Sequence, residues 1–559
     1  MKARGAFGIV IRTNSKSPGF YLTLLVITSC GVYLRLDQFL LQVLLDDEWH
    51  VVHQLLVKGP KELFLTFGHA DFSIPLALLY WLESGLFGLS EIGMRWPMLI
   101  AGLVTLIVLP IYLRKFFSDK TILVFSALLA MSPMLIIYSR TARPYALTLL
   151  LSLMALAAFQ KFVEAENPPW KSGLVYALCA ISSAWLHLIT LPLVVAPFLA
   201  LGLPALLGRN WSRVGRMFWL GVFTLAGLLA LVLPPVLGHP EALSVKLGVQ
   251  TPNLQTYHGV FYVWLGTSSL SVVLVGLFFA LIGAGPLWRA LPLIPSLVTG
   301  LGLTLGVILL TQPAWVHNPL TLARYLLPAI PLVLLSLALG VSRASEALVY
   351  HPGIFRKLAS ATLLASVFLL MAYYSPLTKI LHKPNSNSLH SVYQLDFREE
   401  KNLIYQYQRD FPVSPFWHKL ALFPKDSLKI AASPFSFETH HWEAARWEQI
   451  SHQRVMPGYL IGFCAENRLG EVPSGEGFKF RNVGYLANQG DLIDRGFDLV
   501  VYQKPFKVQT YQGEKEFGMD TANCESIFRQ QFPEPVFEDQ WLVAFPLTDS
   551  VKRQFDATR

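Results

Sequence analysis

Residues 16–48 read KSPGFYLTLLVITSCGVYLRLDQFLLQVLLDDE, and this stretch decides the class of the protein. From Gly19 to Leu34 it carries no charge, and the apolar run continues to about residue 38. A helix over 19–38 rises about 30 Å, the thickness of a bilayer's hydrocarbon core. Lys2, Arg4, Arg12 and Lys16 precede it. A signal peptide would have a shorter apolar region and a small-residue cleavage site. The run continues through Leu34 without one, so it reads as a retained anchor. It delivers Asp46-Asp47-Glu48 to the far side of the membrane.

The rest of the chain agrees. Of 559 residues, 53% are hydrophobic and 14% charged, and the mean hydropathy is +0.45. Soluble domains carry about 25% charged residues. The net charge of +9 does not point to nucleic acid, because the basic residues sit in short connections between apolar blocks, as topology selection places them. About eleven spans are expected, near 19–38, 97–113, 121–138, 145–163, 172–188, 190–208, 217–237, 260–283, 291–310, 326–341 and 358–374. With that count, Arg114-Lys115, Lys120, Lys161, Lys171, Arg209, Arg213, Arg216, Arg289, Arg343, Arg356 and Lys357 all share the side of the N-terminus. This positive-inside pattern makes that side cytoplasmic, in a plasma (inner) membrane, and puts the C-terminal part outside.

Residues 73–92, SIPLALLYWLESGLFGLSEI, resemble a span, but Glu83 would sit at its centre, which is costly in lipid. Treating them as a span would also reverse every later basic loop. They read instead as an interfacial helix, giving a long first outer loop at 39–96. Residues 1–374 form the membrane domain and 375–559 a polar domain of α/β type, with strands at 428–432, 498–502 and 540–545 and a helix at 521–532. No nucleotide-binding glycine fingerprint, metal-ligand cysteine motif or internal repeat is evident. Cys30 and Cys179 fall in apolar blocks; Cys464 and Cys524 fall in the polar domain and could pair if it lies outside.

Ionisable residues beside spans are functional candidates, and here they gather on the outer side. Asp46-Asp47-Glu48 is either a solvated loop start or a general base or metal site. His50 and His53 lie one turn on, and His50 could join a metal with Asp46 or Asp47. Arg95 either snorkels or binds phosphate. Tyr138-Ser-Arg-Thr-Ala-Arg-Pro-Tyr145 joins two spans, and Arg140 and Arg143 there run against positive-inside, which calls for an anionic partner. His187 sits at another outer turn, and Lys246 and His258 in a longer outer loop. Arg324-Tyr325, in TLARYLLPAIP, opens a late span from outside. An arginine so placed suits a phosphate at headgroup depth or serves as an interfacial anchor.

In this order the motifs resemble the GT-C glycosyltransferases, most nearly the protein O-mannosyltransferase-like bacterial group that includes lipid A and cell-envelope sugar transferases. The acidic pair Asp47-Glu48, the segment PLALLYWLESGLFGLSEIGMRWP, YSRTARPYAL, His187 and ARYLLPAIP carry the resemblance over about residues 20–340. The group often has His-Pro-Pro-Leu before the amphipathic segment; here HADFSIPL stands there, with His69 and Asp71 as further candidate substrate-binding residues. The resemblance implies a polyprenyl-phosphate sugar donor, a glycan, lipid or protein acceptor, and inversion at the anomeric carbon. It makes Asp47 the base, with Glu48 or Asp46 orienting the acceptor, and Arg324 with Tyr325, Arg143 and Arg140 the phosphate-binding group. Metal dependence varies among such enzymes, so a divalent ion at Asp46, Asp47 and His50 stays open. The competing readings are a lipid or sugar transporter or flippase, which would favour mid-membrane charges and a repeat, and an envelope scaffold built on the C-terminal domain.

Overall fold

A computed structural model gives the fold. It describes residues 18–37, 39–41, 46–68, 73–244, 247–248, 250–267, 269–349, 354–375, 412–433, 444–457, 459–461, 477–480, 483–485, 489–494, 496–510, 513–517, 524–532 and 534–557. The chain divides into two compact units. One comprises Met1–Phe39, Pro60–Leu78 and Arg95–Leu381; the other comprises Leu40–Gly59, Leu79–Met94 and His382–Arg559.

The first helices in chain order are α1 (Pro18–Leu36), α2 (Asp46–Val57), α3 (Pro60–Leu65), α4 (Ile74–Leu86), α5 (Glu91–Leu113), α6 (Asp119–Met131), α7 (Pro133–Tyr138), α8 (Tyr145–Glu164), α9 (Trp170–Leu186) and α10 (Leu191–Leu207), of which α2 and most of α4 belong to the second unit. There follow α11 (Trp211–Leu231), α12 (Leu233–Gly238), α13 (Glu241–Ser244), α14 (Leu254–Leu265), α15 (Leu270–Ala290), α16 (Ile294–Thr311), α17 (Pro319–Tyr325), α18 (Ala329–Val349) and α19 (Ile354–Tyr373). Among the described residues, eight helices are long and apolar enough to cross a bilayer. The chain is a multi-pass membrane protein, mostly helical, with a sheet-containing C-terminal region.

The expected count of eleven spans exceeds these eight, for identifiable reasons. The expected span at 121–138 is two shorter helices. Ser132 is extended (φ −63°, ψ 113°) before Pro133, the first residue of α7; proline removes a donor and drives the residue before it out of the helical region. The expected span at 358–374 falls on α19, where the apolar stretch is the shorter Thr362–Tyr373. The expected span at 260–283 stays in the count but shifts to α15. Gly266 ends α14 in the left-handed region (φ +63°), and α15 starts afresh at Leu270. A Cβ on Gly266 would lie 2.3 Å from Pro133 Cδ, so the two broken segments meet with no room for a side chain. The helix α9, over the expected 172–188, has 17 residues, about 25 Å of rise. The helix α4, expected to lie along the interface, has 13 residues, about 20 Å, which is too short to span.

Close backbone packing holds the helices together, as small residues allow in lipid. A Cβ on Gly283 of α15 would fall 1.8 Å from the Ser336 carbonyl oxygen of α18, and one on Gly340 would fall 1.9 Å from that of Phe279. Ser336 Oγ donates to the Ala280 carbonyl at 2.6 Å across the same contact. The buried Arg35 of α1 donates to Gly31 O at 2.9 Å and to Ala130 O of α6 at 3.2 Å. At the other end of α1, the Arg114 guanidinium lies 4.0 Å from the Phe20 ring centroid and forms a two-point ion pair with Asp119. Lys120 bonds Ser345. Arg114 and Lys120 thus join the end of the bundle where α1 begins and α18 finishes.

The other unit is built on a five-stranded mixed sheet. Its strands are β1 (Lys429–Ser433), β2 (Arg454–Pro457), β5 (Leu499–Gln503), β8 (Phe537–Glu538) and β9 (Leu542–Pro546), in the order β2-β1-β5-β9-β8. β1 is parallel to β2 and β5, and β9 is antiparallel to β5 and β8. The short strands β3 (Tyr459–Ile461) with β4 (Val483–Tyr485), and β6 (Phe506–Thr510) with β7 (Gly513–Phe517), form separate pairs. Among the described residues five helices accompany them: α20 (Pro415–Leu420), α21 (Ala444–Ser451), α22 (Gln489–Asp494), α23 (Cys524–Gln531) and α24 (Asp549–Ala557). The sheet is covered on both faces, as strand alternation dictates. Ile430, Ala432, Leu499, Val501, Leu542 and Ala544 face Trp417, Trp447 and Phe555, while Ala431, Val500, Tyr502, Val543 and Phe545 face Leu492, Phe528 and Phe532.

This unit also takes in part of the first loop. The Leu89 amide donates to Gly477 O at 2.8 Å, and the Lys479 amide donates back to Leu89 O at 2.7 Å. Lys479 Nζ donates to Phe87 O at 2.7 Å. Tyr80 Oη holds the return of this loop through Met94 O at 2.6 Å. Cys464 and the Cys524 side chain lie outside the described residues.

Candidate functional site

Three sequence-distant segments converge on one pocket in the membrane unit. Because α8, α9 and α10 run antiparallel in succession, the start of α8, the end of α9 and the start of α10 come to the same end of the bundle. Pro144 caps α8 and sets Tyr145 as its first residue. The α9 helix ends at His187, whose extended backbone (φ −160°) turns into a 3-10 segment at Leu188–Thr190. Asn318 caps the short α17 by accepting from the Leu320 amide at 2.9 Å, and Arg324 and Tyr325 are the last residues of that helix.

The side chains then stack. The rings of Tyr138 and Tyr145 are 4.7 Å apart, those of Tyr145 and His187 5.4 Å, and those of His187 and Tyr325 5.9 Å. The Arg324 guanidinium lies 5.7 Å from the Tyr145 and the Tyr325 ring centroids alike, so both rings lie within cation–π range of it. His187 Nδ1 accepts from the Ile189 amide at 3.3 Å; the neutral ring therefore carries its proton on Nε2 and is a donor there. Beneath, Thr190 Oγ1 donates to His187 O at 2.9 Å, and Ser183 donates to Thr190 at 3.2 Å and bonds Ser152 at 2.9 Å. This buried hydroxyl chain locks the turn that holds His187.

The pocket has an empty volume of about 360 Å³ counted to its mouth. Its polar lining is Tyr145, Thr148, His187, Thr190, Thr304, Arg324 and Tyr325, and the remainder is apolar. Among the described residues the lining holds one arginine, several hydroxyl and imidazole donors and no carboxylate, which suits an anion with an apolar attachment.

The structure therefore brings Arg324, Tyr325 and His187 together, and adds Tyr145, Thr148, Thr190 and Thr304. It does not put Arg140, Arg143, Arg95 or His258 in this lining. Arg140 is buried and donates to Leu34 O of α1 at 3.4 Å; Arg143 and Arg95 are also buried. His258 is exposed on α14, its ring 5.0 Å from Tyr262. Glu48 is fully buried in α2. His53, on the same helix, has its imidazole pKa lowered by burial. The helix α2 begins at Asp46, but the side chains of Asp46 and Asp47, together with His69, Asp71 and Lys246, lie outside the described residues. Among the described residues, no three His, Cys, Asp or Glu side chains group as metal ligands.

No family model matches the chain, and no curated protein does. Solved structures similar to it include ArnT from Cupriavidus metallidurans in the apo state, 11% identical over 95% of this chain and 98% of that one, with a TM-score of 0.44. The same protein bound to undecaprenyl phosphate is 12% identical over 95% and 99%, at 0.43. Arabinosyltransferase EmbB from Mycobacterium smegmatis is 15% identical over 72% of this chain and 42% of that one, at 0.37. Long apolar helices superpose at this level in many arrangements, so the functional reading rests on the residues themselves.

Proposed function

We propose that the chain is a GT-C-type glycosyltransferase that moves a sugar from a polyprenyl-phosphate donor to an acceptor hydroxyl, with inversion, on the outer face of the plasma membrane. The observation that carries this reading is the convergence of Tyr145, His187 and Arg324-Tyr325 on one pocket whose described lining holds a single arginine among hydroxyl and imidazole groups. The donor's phosphate sits at Arg324, with His187 and the tyrosine hydroxyls completing its hydrogen bonds. When the acceptor oxygen attacks the anomeric carbon, the sugar–phosphate bond breaks and charge collects on the phosphate. A guanidinium fixed in advance stabilises that charge without reorganisation. A sugar or serine hydroxyl is a weak nucleophile at neutral pH, and Asp47 takes its proton, with Glu48 or Asp46 orienting the acceptor.

In this reading the N-terminus is cytoplasmic, and the domain after residue 374 is extracytoplasmic and supports the first loop rather than the chemistry. Arg143 and Arg140 are the second choice for the phosphate, and chelation tests a divalent ion at Asp46, Asp47 and His50.

Arg324→Ala tests the reading. A charge-assisted hydrogen bond is worth about 1.5–3 kcal/mol, so kcat/KM for a polyprenyl-phosphate sugar should fall about 10- to 150-fold. Arg324→Lys, which keeps the charge but not the planar fork, should recover part of it. Wild-type kinetics in the well-folded alanine variant would remove the phosphate role. Formation of a glycosylated product in detergent separates an enzyme from a flippase, which needs two membrane faces.

A further inference from the structure

At the opposite end of α8, some 26 Å from Tyr145 by helical rise, a second concavity opens toward the membrane. Trp211, Gly215 and Trp219 fall four residues apart on α11 and so share one face. Between the two indoles Gly215 has no side chain, and a Cβ placed there would meet nothing within 4 Å. The gap is a slot. Trp170 and Gly173 of α9 and Phe162 of α8 form its other wall. The groove has an empty volume of about 1010 Å³ counted to its open mouth, against about 360 Å³ around Arg324. Its α11 wall runs from Trp211 to Phe223, about 18 Å of rise. That is slightly more than one leaflet of a hydrocarbon core about 30 Å thick.

The mouth is basic. Lys161, Lys171, Arg209, Arg213 and Arg216 occupy the two connections and helix ends here, against Glu164 and Glu166. Arg216 lines the groove and donates to Ala165 O at 2.6 Å, tying α11 to the turn before α9. Lys171 Nζ is 6.0 Å from the Trp170 ring centroid. Trp170, Trp211 and Trp219 are 68%, 65% and 70% exposed, and α11 is the least covered of the eight candidate spans. Tryptophans alone would anchor a helix at the interface, but they would not leave a slot between them. A free phosphate has no use for the apolar slot, and a zwitterionic lipid gains little from the cations.

We propose that this groove is a binding site for one anionic phospholipid, with an acyl chain along the Gly215 slot and the headgroup phosphate at Arg216 and Lys171. The site is independent of the glycosyl-transfer reading.

The test is mass spectrometry of lipid retained by the full chain purified in mild detergent. Phosphatidylglycerol or cardiolipin should co-purify, enriched over its share of the source membrane. Gly215→Leu fills the slot and should cut retention about tenfold, the equivalent of about two buried methylenes. Lys171→Glu should cut anionic lipid selectively. Trp219→Ala removes an exposed wall and should also lower retention, which keeps the test open if Gly215→Leu accumulates poorly. Retained lipid that mirrors the bulk membrane, or undiminished retention in the folded Gly215→Leu or Trp219→Ala protein, would overturn the proposal.

Discussion

Gly300→Ala is the substitution that connects packing to the pocket most directly. Gly300 sits on α16 against α10. A Cβ there would lie 2.5 Å from Leu193 Cδ1, 2.9 Å from Leu193 Cα and 3.3 Å from Ala196 Cβ. The leucine tip can rotate away, but its Cα cannot. Ordinary contact begins at 3.4 Å, so α10 and α16 must part by about half an ångström. Leu193 lines the Arg324 pocket from α10, and Leu301 and Thr304 line it from α16. The pocket therefore widens across its middle. Overpacking of this kind costs about 1–3 kcal/mol. A misplacement of 1 Å can cost about a hundredfold in rate, so half that displacement should lower sugar transfer about tenfold. Thermal unfolding in detergent, followed by tryptophan fluorescence, reads the first effect, and initial rates of sugar transfer read the second. Gly302→Ala and Gly306→Ala are controls on the same helix, where a Cβ meets nothing within 4 Å; they should melt at or above wild type, since alanine favours a helix over glycine by about 1 kcal/mol. If Gly300→Ala melts with those controls, the backbone contact is not what the geometry says. If it melts lower but turns over normally, the pocket does not hold the donor.

Asp47→Asn should abolish transfer, by about 10²- to 10⁴-fold, with unchanged elution on size exclusion; normal turnover would move the proton to Asp46 or Glu48. His317, between α16 and α17, bonds Gln250 Oε1 through Nδ1 and has its pKa lowered from 6.5 by burial. A depressed pKa means that the unfolded chain binds the proton first, so this stability is present above pH 6.5 and is lost as pH falls through the folded value. Hydrogen exchange around Trp315–Asn318 should therefore rise on acidification, and His317→Gln should flatten that response; an identical pH profile in the variant would count against it. Trp417 is fully buried and stacks on Trp447 at 4.7 Å. Trp417→Ala should cost about 3–5 kcal/mol and expose the C-terminal region to limited proteolysis, while a wild-type digestion pattern would contradict that.

Much of this was legible in the sequence, because its physics is local. Apolar length alone marked the spans, and the strands expected at 428–432, 498–502 and 540–545 match β1, β5 and β9 to within two residues. The breaks at Ser132-Pro133 and Gly266 were missed because the hydropathy stays high across both. Arg324, Tyr325 and His187 stood out as polar residues at span ends. Tyr145 was visible inside YSRTARPYAL, but nothing marked it above its neighbours. Thr304 was invisible, a small hydroxyl in the middle of an apolar run, and only the position of α16 relative to α10 makes it a pocket residue. Arg140 and Arg143 drew attention by breaking the positive-inside pattern, yet they are buried and stand outside the pocket lining. The short pairing of Leu89 with Gly477 and Lys479 carries no sequence signature, because two single residues set no periodicity.

That pairing has a consequence for how the protein is made. Lys479 Nζ and its acceptor, Phe87 O, are 392 residues apart in the chain. At synthesis rates of about 5–20 residues per second, the loop waits about 20–80 s for its partner to leave the ribosome. During that interval Phe87 and Leu89 lack the Gly477 and Lys479 groups they bond, while later spans are already being inserted. The segment must therefore be shielded, by the insertion machinery or by the lipid surface itself. A chain cut before residue 477 would leave this early-made loop permanently in that unfinished state.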